Sequence, residues 1–574
     1  MKKESVTVTI LSGADQIGSN CVQIETKESM IYLDYGSPLT DKSEKNRIEG
    51  LSLYLGKEYI HYTFVLYSHG EKFILNIKSI DLYPYLWELR CLQEALQKTL
   101  LKNTQDVHHL FDEDEKMLTD DDRSLLEDAL SLEENLLKKH FTLRHFDVMS
   151  IEKLLMLNWF SNAVDGTEAF SVLTKLAKEK GRLYEEILIQ YEEVGVVPKK
   201  LPDAIVVSHA HQDHYGLIST LPNSIPVYAS KYTAQMMKTT QIFTKHTVMT
   251  NPMVHFKDRE TVRIGDIFIT PYLMDHSSGD AFAFLVEACG QRIFYTGDFR
   301  ATGRKCYLFD RLLENPPPNV DLLLMEGTMI EREEQMFSNE VAVEDAMSDF
   351  MKNRLPTFFI FSSQNIDRVV SAYKASRRAD KIFVIDIYTA WVLEEAKLLS
   401  PNLPNMEWQY IKVLSKGDEG RWYRKRLHVN SRFFGDFSKN LYKYSTFITL
   451  ETIEKNPAQY TFKLSANIIL NIIKKLDTKA NVIYSQWSGY QNKEYNPDGY
   501  EVFSSLKADP LLLYKEIHTS GHAKRGDLQR LSQALQAKAV VPIHTDVPKI
   551  YEEFFENVKI LPDGKSLVVG DNNG

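Results

Sequence analysis

Short apolar runs rich in β-branched residues recur along the chain, and each stops on a polar residue. Ala204-Ile205-Val206-Val207 is continuous enough to predict a buried strand. Met30–Leu33, the run from Ile267 to Met274, Arg292–Tyr295 and Asp321–Met325 predict further strands, while the alternation of Val6–Ile10 predicts a strand with one buried face. From about Asp41 to Pro198 the pattern changes. Leucines at helical spacing predict long helices over Ser124–Lys139 and Ala169–Val194. A structureless loop of that length is uncommon, so 46–198 is expected to be an added, mostly helical insertion. Between Glu331 and Leu513 strand and helix alternate: Pro356–Phe361, a helical Ile366–Arg378, then Lys381–Asp386. That alternation predicts a parallel α/β layer.

The polar residues that end these runs are not random. Ser208-His209-Ala210-His211-Gln212-Asp213-His214 follows the Ala204 run and crowds four metal-ligand side chains into six positions. Residues two apart on extended backbone project to one side, so His209 and His211 can converge on one ion. Asp213 and His214, where the chain bends toward a helix, can hold a second. Imidazole with carboxylate is the ligand set of zinc and its first-row neighbours. A lone histidine would more often be a packed or surface residue.

H-x-H-x-D-H resembles the signature of the metallo-β-lactamase fold. The resemblance implies that His276, ending Tyr272-Leu273-Met274-Asp275-His276, is the next histidine ligand. It implies that Asp298, in Gly297-Asp298-Phe299-Arg300, bridges two metals, and that Asp34 is a structural support. Three more motifs are similar to those of the β-CASP nucleases, the group of ribonuclease J. They are Glu326 at the end of Asp321–Thr328, Ser520-Gly521-His522-Ala523, and Val540-Val541-Pro542-Ile543-His544. The implied fold is an α/β, αββα metallo-β-lactamase sandwich at 1–45, 199–330 and 514–574, with a β-CASP-like cap at 331–513. The helical insertion is the main departure from the family's pattern. A lid, a self-association surface or a partner-binding role would all suit it. Ribonuclease J proteins often have a further C-terminal domain, and the stretch after Ile517 is too short for one, so their dimerisation is not expected to carry over.

Composition fits an ordinary globular chain: 574 residues leave room for several domains, with 43% hydrophobic and 25% charged residues. No apolar run reaches the ~20 residues of a membrane span, and Met1–Ser5 leads straight into a strand with no secretory pattern. The four cysteines lack C-x-x-C spacing and read as free thiols of a reducing, cytoplasmic setting. A net charge of −10 weighs against indiscriminate nucleic-acid binding but not against a local basic groove. The acidic run Asp112–Glu115 with Asp120–Asp122 reads as a solvated face.

The resemblance implies a nuclease that cuts single-stranded nucleic acid, RNA favoured, with two divalent ions, zinc or alternatively manganese. His209, His211 and His276 would hold one ion, Asp213, His214 and His544 the other, and a hydroxide between them would attack phosphorus. His522 would contact the phosphate or protonate the leaving oxygen, with Glu326 holding its ring, and Ser520 and Gly521 would seat a phosphate. The basic, aromatic stretch from Arg421 to Tyr444, with Arg424 and Arg426, could contact phosphates and bases; its aromatics could equally point into a core. Ser362, at a strand end, is a further phosphate donor or a plain helix cap. Two other readings stay open: a small-molecule hydrolase acting on a cyclic nucleotide, lactone or thioester, and a catalytically silent binding partner.

Overall fold

The protein is described by a computed structural model over residues 5–37, 46–79 and 201–570, apart from 56–59, 69–70 and short breaks near 222, 245–248, 333–336, 416–419, 444–446 and 494–498; for 46–79 only the backbone is described. In chain order, β1 (Val6–Ser12), β2 (Cys21–Glu25) and β3 (Met30–Leu33) form an antiparallel meander. A separate antiparallel meander follows, β4 (Asn46–Leu55), β5 (Ile60–Ser68) and β6 (Glu71–Ser79). The 46–198 insertion therefore opens as β-sheet, an element that the expectation of a mostly helical insertion did not include. The physical reason is local: Ile60-His61-Tyr62-Thr63-Phe64-Val65 is rich in β-branched and aromatic residues, which favour strands. The helices expected at Ser124–Lys139 and Ala169–Val194 lie outside the described residues.

The chain returns at β7 (Ala204–Val206), which pairs parallel with β3, and continues through β8 (Val227–Ala229) and β9 (Met253–His255). A second sheet takes β10 (Val262–Ile264), β11 (Ile267–Met274), β12 (Ala281–Ala288), β13 (Gln291–Tyr295) and β14 (Leu322–Glu326). The third sheet is wholly parallel: β15 (Thr357–Ile360), β16 (Ile382–Ile385), β17 (Ile411–Leu414), β18 (Phe447–Ile448), β19 (Tyr460–Lys463), β20 (Ala480–Tyr484) and β21 (Leu512–Glu516). Finally β22 (Ala539–Ile543) joins the edge of the second sheet and β23 (Ser566–Val569) that of the first, beside β1.

The first two sheets face one another. Val8, Ile24, Ile31 and Val206 from one meet Ile269, Phe284, Ile293, Leu324 and Val541 from the other in a single buried cluster. Helices cover both outer faces, Lys231–Thr244 over the first sheet and Tyr307–Glu314 with Arg525–Leu535 over the second. This is an αββα sandwich. Within the second sheet β11, β13, β14 and β22 run in one direction, so their carboxyl ends meet along one rim with those of β3 and β7.

The third sheet sits over that rim, tied by buried charge. Helix α1 (Glu340–Phe350) and helix α2 (Ile366–Arg378) bring Glu340, Asp367 and Arg368 against Arg300 from the loop after β13. Arg300 and Arg368 are both 0% exposed. Arg300 bonds Asp275, Glu340 and Asp367, and Arg368 bonds Glu340, Ser485 and the Thr519 carbonyl. Buried cations satisfied so completely lock one geometry of rim and cap. No helix among the described residues is long and apolar enough to cross a membrane.

Candidate metal centre

The carboxyl ends of six strands supply the site. β7 runs on to His209 and His211, and a short helix, Gln212–Tyr215, lifts Asp213 and His214. The loop after β3 is laced to that helix by Tyr35 N to the His214 carbonyl (2.7 Å) and Ser37 N to the Gln212 carbonyl (2.9 Å). At Gly36 a Cβ would lie 1.6 Å from the Asp213 carbonyl oxygen, so only glycine permits the approach. β11 delivers His276, β13 Asp298, β14 Glu326 and β22 His544. Asp34 and His544 hold positive φ of 59° and 51°, a cost that side chains tolerate at functional sites.

His209 Nε2 lies 3.0 Å from His211 Nδ1, and His276 Nε2 lies 3.1 Å from the same atom. On the other side, Asp213 Oδ2 is 3.2 Å from His544 Nε2, and Asp298 Oδ2 is 3.1 Å from His214 Nε2. Asp298 Oδ2 also stands 3.9 Å from His209 Nε2, between the two groups. Burial, reinforced by neighbouring histidines, holds His209 and His276 well below the ordinary imidazole range, and His211 at about 4. Burial would raise Asp213, but His214 and His544 outweigh it and bring the carboxyl down to about 2.

The outer nitrogens decide what the inner ones can be. Asp34 accepts from Ser208 N, Ser208 Oγ, Tyr295 OH and His214 Nδ1, at 2.5–2.7 Å. Ser208 Oγ, having given its proton to Asp34, accepts from His209 Nδ1 at 3.0 Å. His276 Nδ1 donates to the Gly521 carbonyl (2.5 Å). Thr328 Oγ donates to the His544 carbonyl (3.3 Å) and so accepts from His544 Nδ1 (2.8 Å). Each of these four rings then turns an Nε2 lone pair inward. Lone pairs thus face lone pairs at His211 and carboxylate oxygens at Asp213 and Asp298, and the buried Asp298 Oδ1 has no hydrogen-bond donor. Without an ion, burial works against the charge of His214, but Asp298, Asp34 and Asp213 outweigh it and lift its pKa well above the ordinary value, so that its ring can donate to both Asp34 and Asp298. Divalent cations would satisfy the same converging nitrogens and carboxylate oxygens. The residues fit a pair of metal ions.

His522 stands just outside this set. Its Nδ1 lies 3.2 Å from Glu326 Oε2 and 3.7 Å from Asp298 Oδ2. Burial works against its charge, but Glu326 and Asp298 outweigh it and lift its pKa above the ordinary value. Glu326 is fully buried and also accepts from the backbone N–H groups of Phe299, Thr328 and Ala523.

A cleft of about 640 Å³ opens over the centre, lined by Asp213, Asp298, Ser362, Ser520, Gly521, His522 and His544. Arg424 and Arg426 are not among its lining residues. They lie on helix α3 (Arg421–Val429), where Arg424 bonds the Ser415 carbonyl and Arg426 stacks over Trp422 at 5.2 Å. Tyr423 and Phe434 of the same stretch are buried around Phe243 and Trp391. The physical reason is amphipathic spacing: Tyr423, Phe434 and Phe437 are core positions, while Trp422 stays 41% exposed. Sequence reasoning missed Arg332, Trp487 and Tyr490, which line the cleft. The last two follow β20 as the ligands follow their strands, and that position was the available signal.

A model of the β-lactamase superfamily domain matches residues 194–353. Ribonuclease J of Pyrococcus abyssi is 22% identical over 397 residues, covering 66% of this chain and 84% of its own length. Ribonuclease J of Sinorhizobium meliloti is 31% identical over 99 residues, 17% of either chain. A ribonuclease of Thermus thermophilus is 28% identical over 193 residues, covering 30% of this chain and 43% of that one. A solved Enterococcus faecalis V583 protein of unknown function aligns over 98% of this chain and all of its own, at a TM-score of 0.56 and 17% identity, a likeness of fold. In sandwich, ligand pattern and these matches the chain is similar to the ribonuclease J-like proteins of the β-lactamase superfamily.

Proposed function

We propose that the chain is a two-metal hydrolase that cuts phosphodiester bonds of single-stranded nucleic acid, with RNA the preferred polymer. The observation that carries the reading is the convergence of inward lone pairs on the floor of a cleft walled by the cap. When bound, two divalent ions, zinc or manganese, supply Lewis acidity to a phosphoryl oxygen and acidify a water. His209, His211 and His276 would hold one ion, Asp213, His214 and His544 the other, and Asp298 both.

The remaining residues would act on substrate or position those that do. His522, its charge favoured by Glu326 and Asp298, is placed to give a proton to the leaving oxygen. Glu326 touches His522 and backbone rather than substrate, so it is a positioning residue. Ser520 Oγ accepts from His522 N at 3.0 Å, and the Gly521 backbone packs against Ser277 and His276 beside the cleft. Trp487 and Tyr490 offer aromatic faces on which unpaired bases can stack, and Arg332 offers a cation for phosphate. The ribonuclease relatives support RNA as the polymer.

The test incubates the full chain with end-labelled single-stranded RNA and DNA, with zinc or manganese, beside His209→Ala. Cleavage of RNA that disappears in His209→Ala is the expected result. Two bound metals with neither polymer cut would overturn it and favour the small-molecule hydrolase.

A further inference from the structure

A second cavity, of about 1000 Å³, lies in the cap away from the metal ligands. It sits at the carboxyl ends of β15, β16 and β19, bounded by Ser362 and Ser363, by Asp386, and by Lys463 and Ser465. The sheet order there is β16-β19-β15, so the chain leaves β15 toward β16 and only later inserts β19 between them. In open parallel sheets such a switch in strand order leaves a crevice outside the carboxyl ends where ligands bind. One face of helix α4 (Ala466–Leu476) forms a further wall, with Asn467, Asn471 and Lys474 spaced at helical intervals.

Lys463 is the informative residue. Four basic side chains are buried among the described residues: Arg300, Arg368, Lys381 and Lys463. The arginines are ion-paired, and Lys381 donates to the carbonyls of Leu355 and Ala458. Lys463 is only 4% exposed, yet its ammonium has no hydrogen bond or ion pair among the described residues. The Phe361 ring centroid lies 5.3 Å from it, and the Asp386 charge acts on it. Asp386 shares the cavity, but its carboxylate is occupied by Thr389 N and Oγ (2.7 Å each), Ser465 N (3.1 Å) and Tyr423 OH (3.4 Å). An ammonium that lines a cavity without a hydrogen bond, its charge favoured by Asp386, leaves room for an anion to complete its partners.

The rest of the wall narrows the anion. Trp422, 41% exposed with Arg426 over its ring, lines the same cavity with Phe243 and Tyr388, giving it an aromatic wall. Lys474 adds positive charge at the mouth and Asn471 an amide. Phosphate for the lysine and a planar base for the indole satisfy both. We infer that this cavity is a nucleotide site in which Lys463 binds a phosphate and Trp422 stacks on the base, whether the nucleotide is free or part of a strand. The inference is independent of what the metal centre cuts.

The test is calorimetric titration of the full chain with AMP, adenosine, inorganic phosphate and a 5′-phosphorylated oligoribonucleotide. Lys463→Met, Trp422→Ala and His209→Ala are compared with wild type. Saturable AMP binding that survives His209→Ala, falls at least tenfold in Lys463→Met, and exceeds that of adenosine is expected. Trp422→Ala should weaken AMP and leave inorganic phosphate unchanged. Tighter binding of the oligonucleotide than of AMP would assign the site to a strand, and the reverse to a free nucleotide. Wild-type chain with no saturable AMP or oligonucleotide binding, or binding abolished by His209→Ala, would overturn the inference. So would a folded Lys463→Met that binds normally. If Lys463→Met fails to fold, Asn471→Trp on the exposed helix face should plug the bowl, and undiminished AMP affinity there refutes the site equally.

Discussion

Behind four of the five candidate ligand imidazoles, His209, His214, His276 and His544, stands an oxygen that decides which nitrogen turns inward, and one of these devices is the hydroxyl of Thr328. Thr328→Val keeps the shape and removes the acceptor, so metal affinity should fall about 10–100-fold, with Thr328→Ser restoring it in a chelator-competition titration. Ser208→Ala should cost more, because that one hydroxyl serves both His209 and Asp34. His522→Ala should leave metal content intact while lowering turnover by about 10²–10⁴-fold; loss of metal in this variant would instead make His522 a ligand. The ligand positions were legible in the sequence because rare residue types crowd the ends of apolar runs. Thr328 and Tyr295 were not. Threonine and tyrosine are common, and their roles depend on which strand end lies alongside in space.

At the scale of elements, the joint between rim and cap turns on Glu340 in the first turn of α1. Glu340→Gln leaves two buried arginines short of charge and should cost about 3–5 kcal/mol, read from urea unfolding. Burial alone would raise the Glu340 carboxyl, but Arg368 and Arg300 outweigh it and bring it down to about 2. The folded value lies below the unfolded one, so its stabilisation is complete above about pH 4.5 and drains away as pH falls toward 2. Glu340→Gln should flatten that part of the acid profile, and an unchanged profile would count against the assignment. Helix α2, Ile366–Arg378, runs over the residues its periodicity predicts. The meander β4–β6 was hidden because the leucine spacing that marks the insertion as helical lies further along the chain. The direction of Arg424 and Arg426 was hidden for another reason. A helix shows in sequence which residues alternate, not which face the fold will cover.

Over the whole molecule, the inward-facing ligands come from strand ends in two different sheets, so bound metal acts as a clasp between them. Removing it with a chelator should lower the thermal midpoint by several degrees, with recovery on adding zinc or manganese back. A midpoint indifferent to chelation would mean that the rim is held without ions. The αββα sandwich and the alternating cap were legible because each strand is written locally. The cap cavity was not, since it gathers the ends of three strands far apart in sequence.

That scattering has a consequence for how the protein is made. His544 comes last among the ligands, and β23, which closes the sheet beside β1, comes later still. While a ribosome is still making the chain, the emerging sandwich has an open edge at β1, and its second ion site lacks a histidine. A nuclease of the kind proposed would thus stay unarmed beside its own messenger until His544 and β23 have been made.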